Sequence, residues 1–247
     1  MSISKVLLGC FLVLVFAVTQ VQADVVTPNS ATATSEFTAF GAPNTAERLI
    51  DGSGLDPNSA PGVLDQDHGP DEPTIWFTDV FAPPATDTVD VEFVLHGRWD
   101  LSAAHIWNLN WLAGGGTVNS NWRGVKDFTL LVSPDLVTPY SSLGVFSLSK
   151  SPDDPNDPSF AVPVPAQVKA LGAGADVVQR IKFEIISNFS ADIDPNSVAA
   201  PEDLLVVGLS EVRFEGVDIP EPTALAISVL GGLSLGLLAR RRRKRLV

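Results

Sequence analysis

The sequence predicts an all-β domain, an antiparallel sandwich or jelly roll, between two export segments. Eight short stretches rich in β-branched and aromatic residues recur between residues 75 and 214, with clusters of Pro, Gly, Asn and Asp between them. Two of these stretches alternate with period two. Val89, Val91, Phe93 and Leu95 alternate with Asp90, Glu92 and Val94, and Ile181, Phe183 and Ile185 alternate with Arg180, Lys182 and Glu184. Such alternation is expected of strands with one face buried. No ten-residue span of residues 24–218 carries a convincing helical period.

The chain opens with an export signal. Lys5 precedes an apolar run from Val6 to Val18, and Val21-Gln-Ala23 sets small residues where a signal peptidase cuts, before Asp24. A run of thirteen residues is short of the roughly 20 that a spanning helix needs. The only cysteine, Cys10, lies inside this run, so cleavage after Ala23 leaves a chain that no disulfide holds together.

The strands expected in residues 24–218 are Ile75 to Phe81, Thr88 to Leu95, His105 to Leu112, Val125 to Ser133, Leu143 to Leu148, Phe160 to Val168, Val177 to Ile186 and Leu204 to Phe214. Pro163 and Pro165 place the strand around them at a sheet edge, because proline donates nothing to a ladder. The run Ser151 to Pro158 reads as loop, since proline breaks the ladder and Asp and Asn favour turns. The chain as a whole carries −13, but residues 24–218 hold 28 acidic and nine basic residues, a net charge of −19. That surface repels phosphate backbones and excludes a nucleic-acid partner.

After Asp218 the character changes. Pro220, Glu221 and Pro222 are followed by an uncharged stretch from Thr223 to Ala239, seventeen residues, and then by six consecutive bases, Arg240 to Arg245. Seventeen residues is the lower limit for a transmembrane helix, and the basic cluster should stay cytoplasmic. This tail resembles the PEP-CTERM sorting signal of Gram-negative bacteria. The resemblance implies a surface or extracellular-matrix protein handled by signal peptidase and then by an exosortase, with 219–247 as sorting segment. The other reading is a plain one-helix anchor.

Four strings of the middle resemble the galactose-binding-like jelly roll shared by discoidin (coagulation-factor type C) domains and many carbohydrate-binding modules. Ala31 to Glu36 is similar to the opening strand and Ala46 to Gly52 to the segment leading into the first binding-side loop. Ile106 to Asn110 with Arg123 to Phe128 is similar to the central pair of strands, and Gly208 to Phe214 to the closing strand. The resemblance implies a structural calcium held by Asp51 and Glu211, with loop carbonyls including that of Ser53. The ion's taste for six to eight mixed oxygens suits such a set. The competing reading has Asp51 capping a turn and Glu211 paired with a base such as Arg213.

Trp107, Asn108, Asn110, Trp111, Trp122 and Arg123 crowd around Gly114 to Gly116. Indole faces with amide and guanidinium donors make a glycan platform. The same Asn108 and Arg123 could instead tie a loop to the sheet. Asp65 to Glu72 reads as a solvated acidic loop, and His68, His96 and His105 lack zinc-ligand spacing. No Gly-x-Ser-x-Gly elbow is present, no His neighbours a nucleophile, and no acid pair stands out. The expectation is an exported glycan-binding or adhesion module with one calcium. The alternatives are a surface structural protein that packs against its own copies and, third, a polysaccharide hydrolase.

Overall fold

The structure, a computed structural model, describes residues 23–38, 44–55, 64, 66–69, 74–79, 88–110, 121–152, 163–189 and 206–220. The expected signal run, the sorting segment beyond Pro220, and Trp111 with Gly114 to Gly116 lie outside the described residues. Among the described residues no helix is long and apolar enough to cross a membrane.

The strands are β1 (Asp24–Val26), β2 (Ser30–Ala33), β3 (Asp67–His68), β4 (Trp76–Phe77), β5 (Val89–Asn108), β6 (Val125–Ser133), β7 (Ser141–Ser147), β8 (Val164–Pro165), β9 (Gln167–Ala170), β10 (Val178–Asn188) and β11 (Gly208–Ile219). Short 3-10 turns span Ala46–Leu49 and Asn121–Arg123. Nine strands form one sheet in the order β1-β11-β5-β10-β6-β7, with β2 and β9 also on β5 and β4 on β11. Every strand pair is antiparallel. The all-β antiparallel expectation therefore holds, and β6 matches its expected bounds to the residue.

Strand β5 organises the molecule. Its first half, Val89 to Val94, lies between β2 and β10, and its second half, Arg98 to Asn108, between β9 and β11. Phe93 lies eleven positions before Ala104, the register partner of Phe214, and in straight extended chain that is roughly 36 Å. Yet the Phe93 and Phe214 rings meet edge-to-face at 5.8 Å. The sheet must therefore fold over on itself, and the break falls at Gly97, whose φ of 89° is a left-handed conformation natural to glycine. The two layers so formed bury Phe93, Phe128, Phe183 and Phe214 between them, with Ile106, Val212, Leu130 and Ile181. Ring contacts at 5.2 Å (Phe93–Phe183) and 4.6 Å (Phe128–Phe183) each add about 0.5–1.5 kcal/mol to their area term.

Two expectations need correction. The expected segments 88–95 and 105–112 contribute residues 89–95 and 105–108 to one strand, which bends at Gly97. The supposed central pair, Ile106 to Asn110 and Arg123 to Phe128, lies in different ladders: residues 106–108 of β5 pair with β9 and β11, and β6 pairs with β10 and β7, although the Asn108 amide reaches the Val125 carbonyl. The closing strand, Gly208 to Phe214, pairs with β5 and reaches β1 at Phe214, and Ser30–Ala33 lies against β5. Pro165 does lie in a two-residue strand that pairs only with β3.

Gly216 marks the tightest approach between β11 and β5. A methyl group there would stand 2.5 Å from the Asp100 carbonyl oxygen and 2.9 Å from Leu101 Cδ2. Gly216→Ala is thus expected to cost about 1–3 kcal/mol through forced backbone shift, read as a lowered denaturant midpoint with unchanged m-value.

Candidate functional site

The far end of β5 carries Trp107 and Asn108 of the predicted platform and lies in register with Glu211 of β11, a predicted calcium ligand. From Ala103 to Asn110 every residue is buried, on both faces of the strand. Ile106 points into the phenylalanine core, while Trp107 and His105 lie on the opposite face, in register with Glu211 and Arg213 of β11. That outer face is roofed by chain segments around residues 46–55 and 66–69. Trp107 is fully buried, and its indole N–H donates to the Gln66 carbonyl at 2.7 Å.

The glycan platform is accordingly corrected. Trp107 and Asn110 offer no surface, and Asn108 is 1% exposed. The Asn108 amide donates to the Val125 and Ser149 carbonyls at 2.8 and 2.9 Å, and its Oδ1 accepts the Leu109 N–H. Asn110 donates to the His68 carbonyl at 2.9 Å. Both satisfy backbone groups that burial would otherwise leave unpaired, the tying role that was the competing reading for Asn108. Trp122 and Arg123 alone remain half-exposed, with the Arg123 guanidinium 4.6 Å over the Trp122 ring.

Close by lies a cavity of about 280 Å³ lined by Asn108, Ser149, Lys150, Pro152, Pro165 and Gln167, with Ser151 and Val164. The Gln167 amide exchanges two hydrogen bonds with the Ser149 backbone, at 2.7 and 2.8 Å, so one wall is rigid. Asn121 donates toward the Ser151 and Pro152 carbonyls at 3.4 Å, which fastens the Trp122 turn to the cavity wall. Among the described residues the lining has no carboxylate and no imidazole. It offers a primary ammonium, a hydroxyl, amide groups and flat prolyl surfaces. The sequence flagged only Asn108 and Pro165 of this set, because the rest come from loop ends with no periodic signature.

Asp51, Ser53 and Glu211, separated by up to 160 positions, are brought together. The Gly52 N–H donates to Glu211 Oε2 at 3.3 Å, and Ser53 N–H to Asp51 Oδ1 at 2.8 Å. Gly52 adopts φ of 72°, and a methyl on it would lie 2.9 Å from Arg213 Nη2. Glu211 is fully buried, and burial pushes its pKa up to about 8, with the nearby Asp51 charge adding to the rise and Arg213 opposing it. Arg213 Nε reaches Glu211 Oε1 at 3.2 Å and Arg48 reaches Asp51 Oδ2 at 2.9 Å. Both halves of the competing reading are thus also present. The Ser53 hydroxyl is buried without a hydrogen-bond partner. Two carboxylates, an unpartnered hydroxyl and a tight loop rich in carbonyls are a donor set that fits a hard divalent cation. Among the described residues no group of three or more His, Cys, Asp or Glu side chains converges.

No family model matches the chain and no curated protein matches it. Solved structures with similar chain traces include a carbohydrate-binding module of Clostridium perfringens in complex with GalNAc-β-1,3-galactose, at 14% identity and TM-score 0.46, covering 77% of this chain and 98% of that one. An F5/8 type C domain from Bacteroides fragilis matches at 11% identity and TM-score 0.44, covering 80% and 99%. A family 89 glycoside hydrolase of C. perfringens matches at 16% identity and TM-score 0.43, where 80% of this chain spans 16% of the enzyme. At TM-scores below 0.5 these likenesses assign neither ligand nor activity.

Proposed function

We propose that the chain is an exported, non-catalytic glycan-binding module of galactose-binding-like jelly-roll type. It is steadied by one calcium ion at Asp51, Ser53 and Glu211 and delivered to the cell surface or matrix through its PEP-CTERM tail. The observation that carries the binding reading is the cavity walled by Ser149 to Pro152, to which Asn121 fastens the Trp122 turn. Its volume suits one pyranose ring and its donors suit hydroxyls. Lys150 is the charged residue of the described lining, and its ammonium carries three donors.

A polysaccharide array probed with the detergent-solubilised full chain tests this reading. Retention of a defined glycan is expected, weakened about tenfold by Trp122→Ala and by Lys150→Ala, equivalent to about 1.4 kcal/mol each. Retention of no glycan, or equal retention by both variants, would remove the assignment of this cavity. The sorting reading has its own readout: in a host with an exosortase the tail is removed near Pro220 to Pro222, whereas a simple anchor stays at full length.

A further inference from the structure

We infer that β7 is an interface for a second copy of this chain, pairing edge to edge with its own counterpart across a two-fold axis. A terminal strand leaves a row of backbone donors and acceptors unpaired, and proteins guard such edges with short strands, lysine, proline, charge or a bulge that twists the edge. The other strands with one described partner are short or guarded. β1 has three residues and begins at Asp24, β2 has four, β4 has two, and β9 has four with Lys169 in the middle. In contrast, β7 is seven residues long, reads Ser-Ser-Leu-Gly-Val-Phe-Ser, and among the described strands pairs only with β6.

The occupant follows from charge. Residues 136 to 149 contain no ionisable acid or base apart from the Tyr140 phenol, in a middle domain that carries −19. Two such domains repel at most approaches, and repulsion is weakest along this stretch, where the bordering carboxylates of Asp127 and Asp135 are each engaged by hydrogen bonds. An acidic or basic partner would gain nothing here, whereas an identical edge is matched in polarity by construction. The margin is also apolar. Leu136, Val137 and Val145 are 58%, 88% and 65% exposed, half of the large exposed apolar side chains described.

The margin is held in place rather than free to turn inward. Arg180 donates to the Asp135 and Thr138 carbonyls at 2.9 Å, and the Asp135 carboxylate accepts from the Val137 and Thr138 N–H groups. Leu143 is left out of the ladder with β6 and Gly144 takes a φ of 114°, so the edge is interrupted there and Val145 to Ser147 form its continuous run. The glycan cavity begins at Ser149, two residues beyond the end of β7, but the test below reads self-association without glycan, so its outcome is separate from the binding assignment.

Sedimentation velocity of the full chain in mild detergent is the test. Self-association is expected between about 1 and about 100 µM, weakened about tenfold or more by Val145→Lys and unaffected by Val168→Lys, which alters an equally exposed valine elsewhere. Because Val145 is a surface residue, an unchanged thermal melt would show that the variant folds. As a second readout in a Cys10→Ser background, oxidation should link Val145→Cys into dimers and leave Val168→Cys monomeric. A chain monomeric throughout, or association that both lysine variants leave unchanged, overturns the proposal, the latter pointing to the C-terminal segment instead.

Discussion

Trp107→Ala is expected to destabilise the fold by about 3–5 kcal/mol, the usual range for emptying a fully buried aromatic site, and to leave glycan affinity unchanged in the molecules that remain folded. The indole is completely enclosed between the outer face of β5 and the segment at Gln66, whose carbonyl it satisfies at 2.7 Å. Alanine would leave both a cavity and an unpaired acceptor. Trp107→Phe separates the two, since it fills most of the volume but cannot donate. It should cost about 1–3 kcal/mol, the price of one unsatisfied buried carbonyl. Urea unfolding monitored by far-UV circular dichroism gives both values, and the affinity is read on the same samples below their midpoints. A stable Trp107→Ala protein that had lost glycan binding would return the residue to the ligand site.

That contrast shows what the sequence could and could not tell. Alternation was legible in residues 89–95 and 180–185 because one face of each strand is core and the other is charged surface. From Ala103 to Asn110 the alternation disappears, since Gln66, His68 and the Asp51 loop cover the second face. Periodicity reports whether a face is wet, and a strand roofed by loops is dry on both sides. An aromatic and two asparagines next to a glycine run then look like a recognition surface, although each is bonded to carbonyls 17 to 42 positions away. Strand pairing was hidden for a related reason. The central position of β10 between β5 and β6 is a matter of topology, which no local pattern encodes. Asp51 and Glu211 were paired only through resemblance to a known jelly roll. Their residue types are common, and 159 positions separate the Gly52 N–H from the carboxylate that accepts it.

Chelated protein is expected to lose stability as the pH rises from about 5 to 8, and calcium is expected to restore it at the upper end. Burial raises the Glu211 pKa from 4.5 in the open chain to about 8 in the fold. Below the lower value both states hold the proton, so the contribution is fully present. Between the two values the folded state keeps a proton that the unfolded state has released, and stability falls by up to about 1.4 kcal/mol per pH unit. Above about 8 both states are ionised and the decline ends. Across the window the loss is at most about 5 kcal/mol, reduced wherever the fold relaxes to admit water. Glu211→Gln lacks the titrating group and should show a flat profile across the same range. A bound divalent cation reverses the preference, because it stabilises the carboxylate that burial disfavours. At 100 times its dissociation constant it would add about 2.7 kcal/mol, largest at pH 8, where the proton it displaces is most weakly held. Thermal melts of wild type and Glu211→Gln in chelator and in calcium, at pH 5 and pH 8, separate the two effects. A pH-dependent decline that calcium leaves untouched would keep the buried carboxylate, with Arg213 as its partner, and eliminate the cation. A calcium response that persists in Glu211→Gln would move the ion away from this loop.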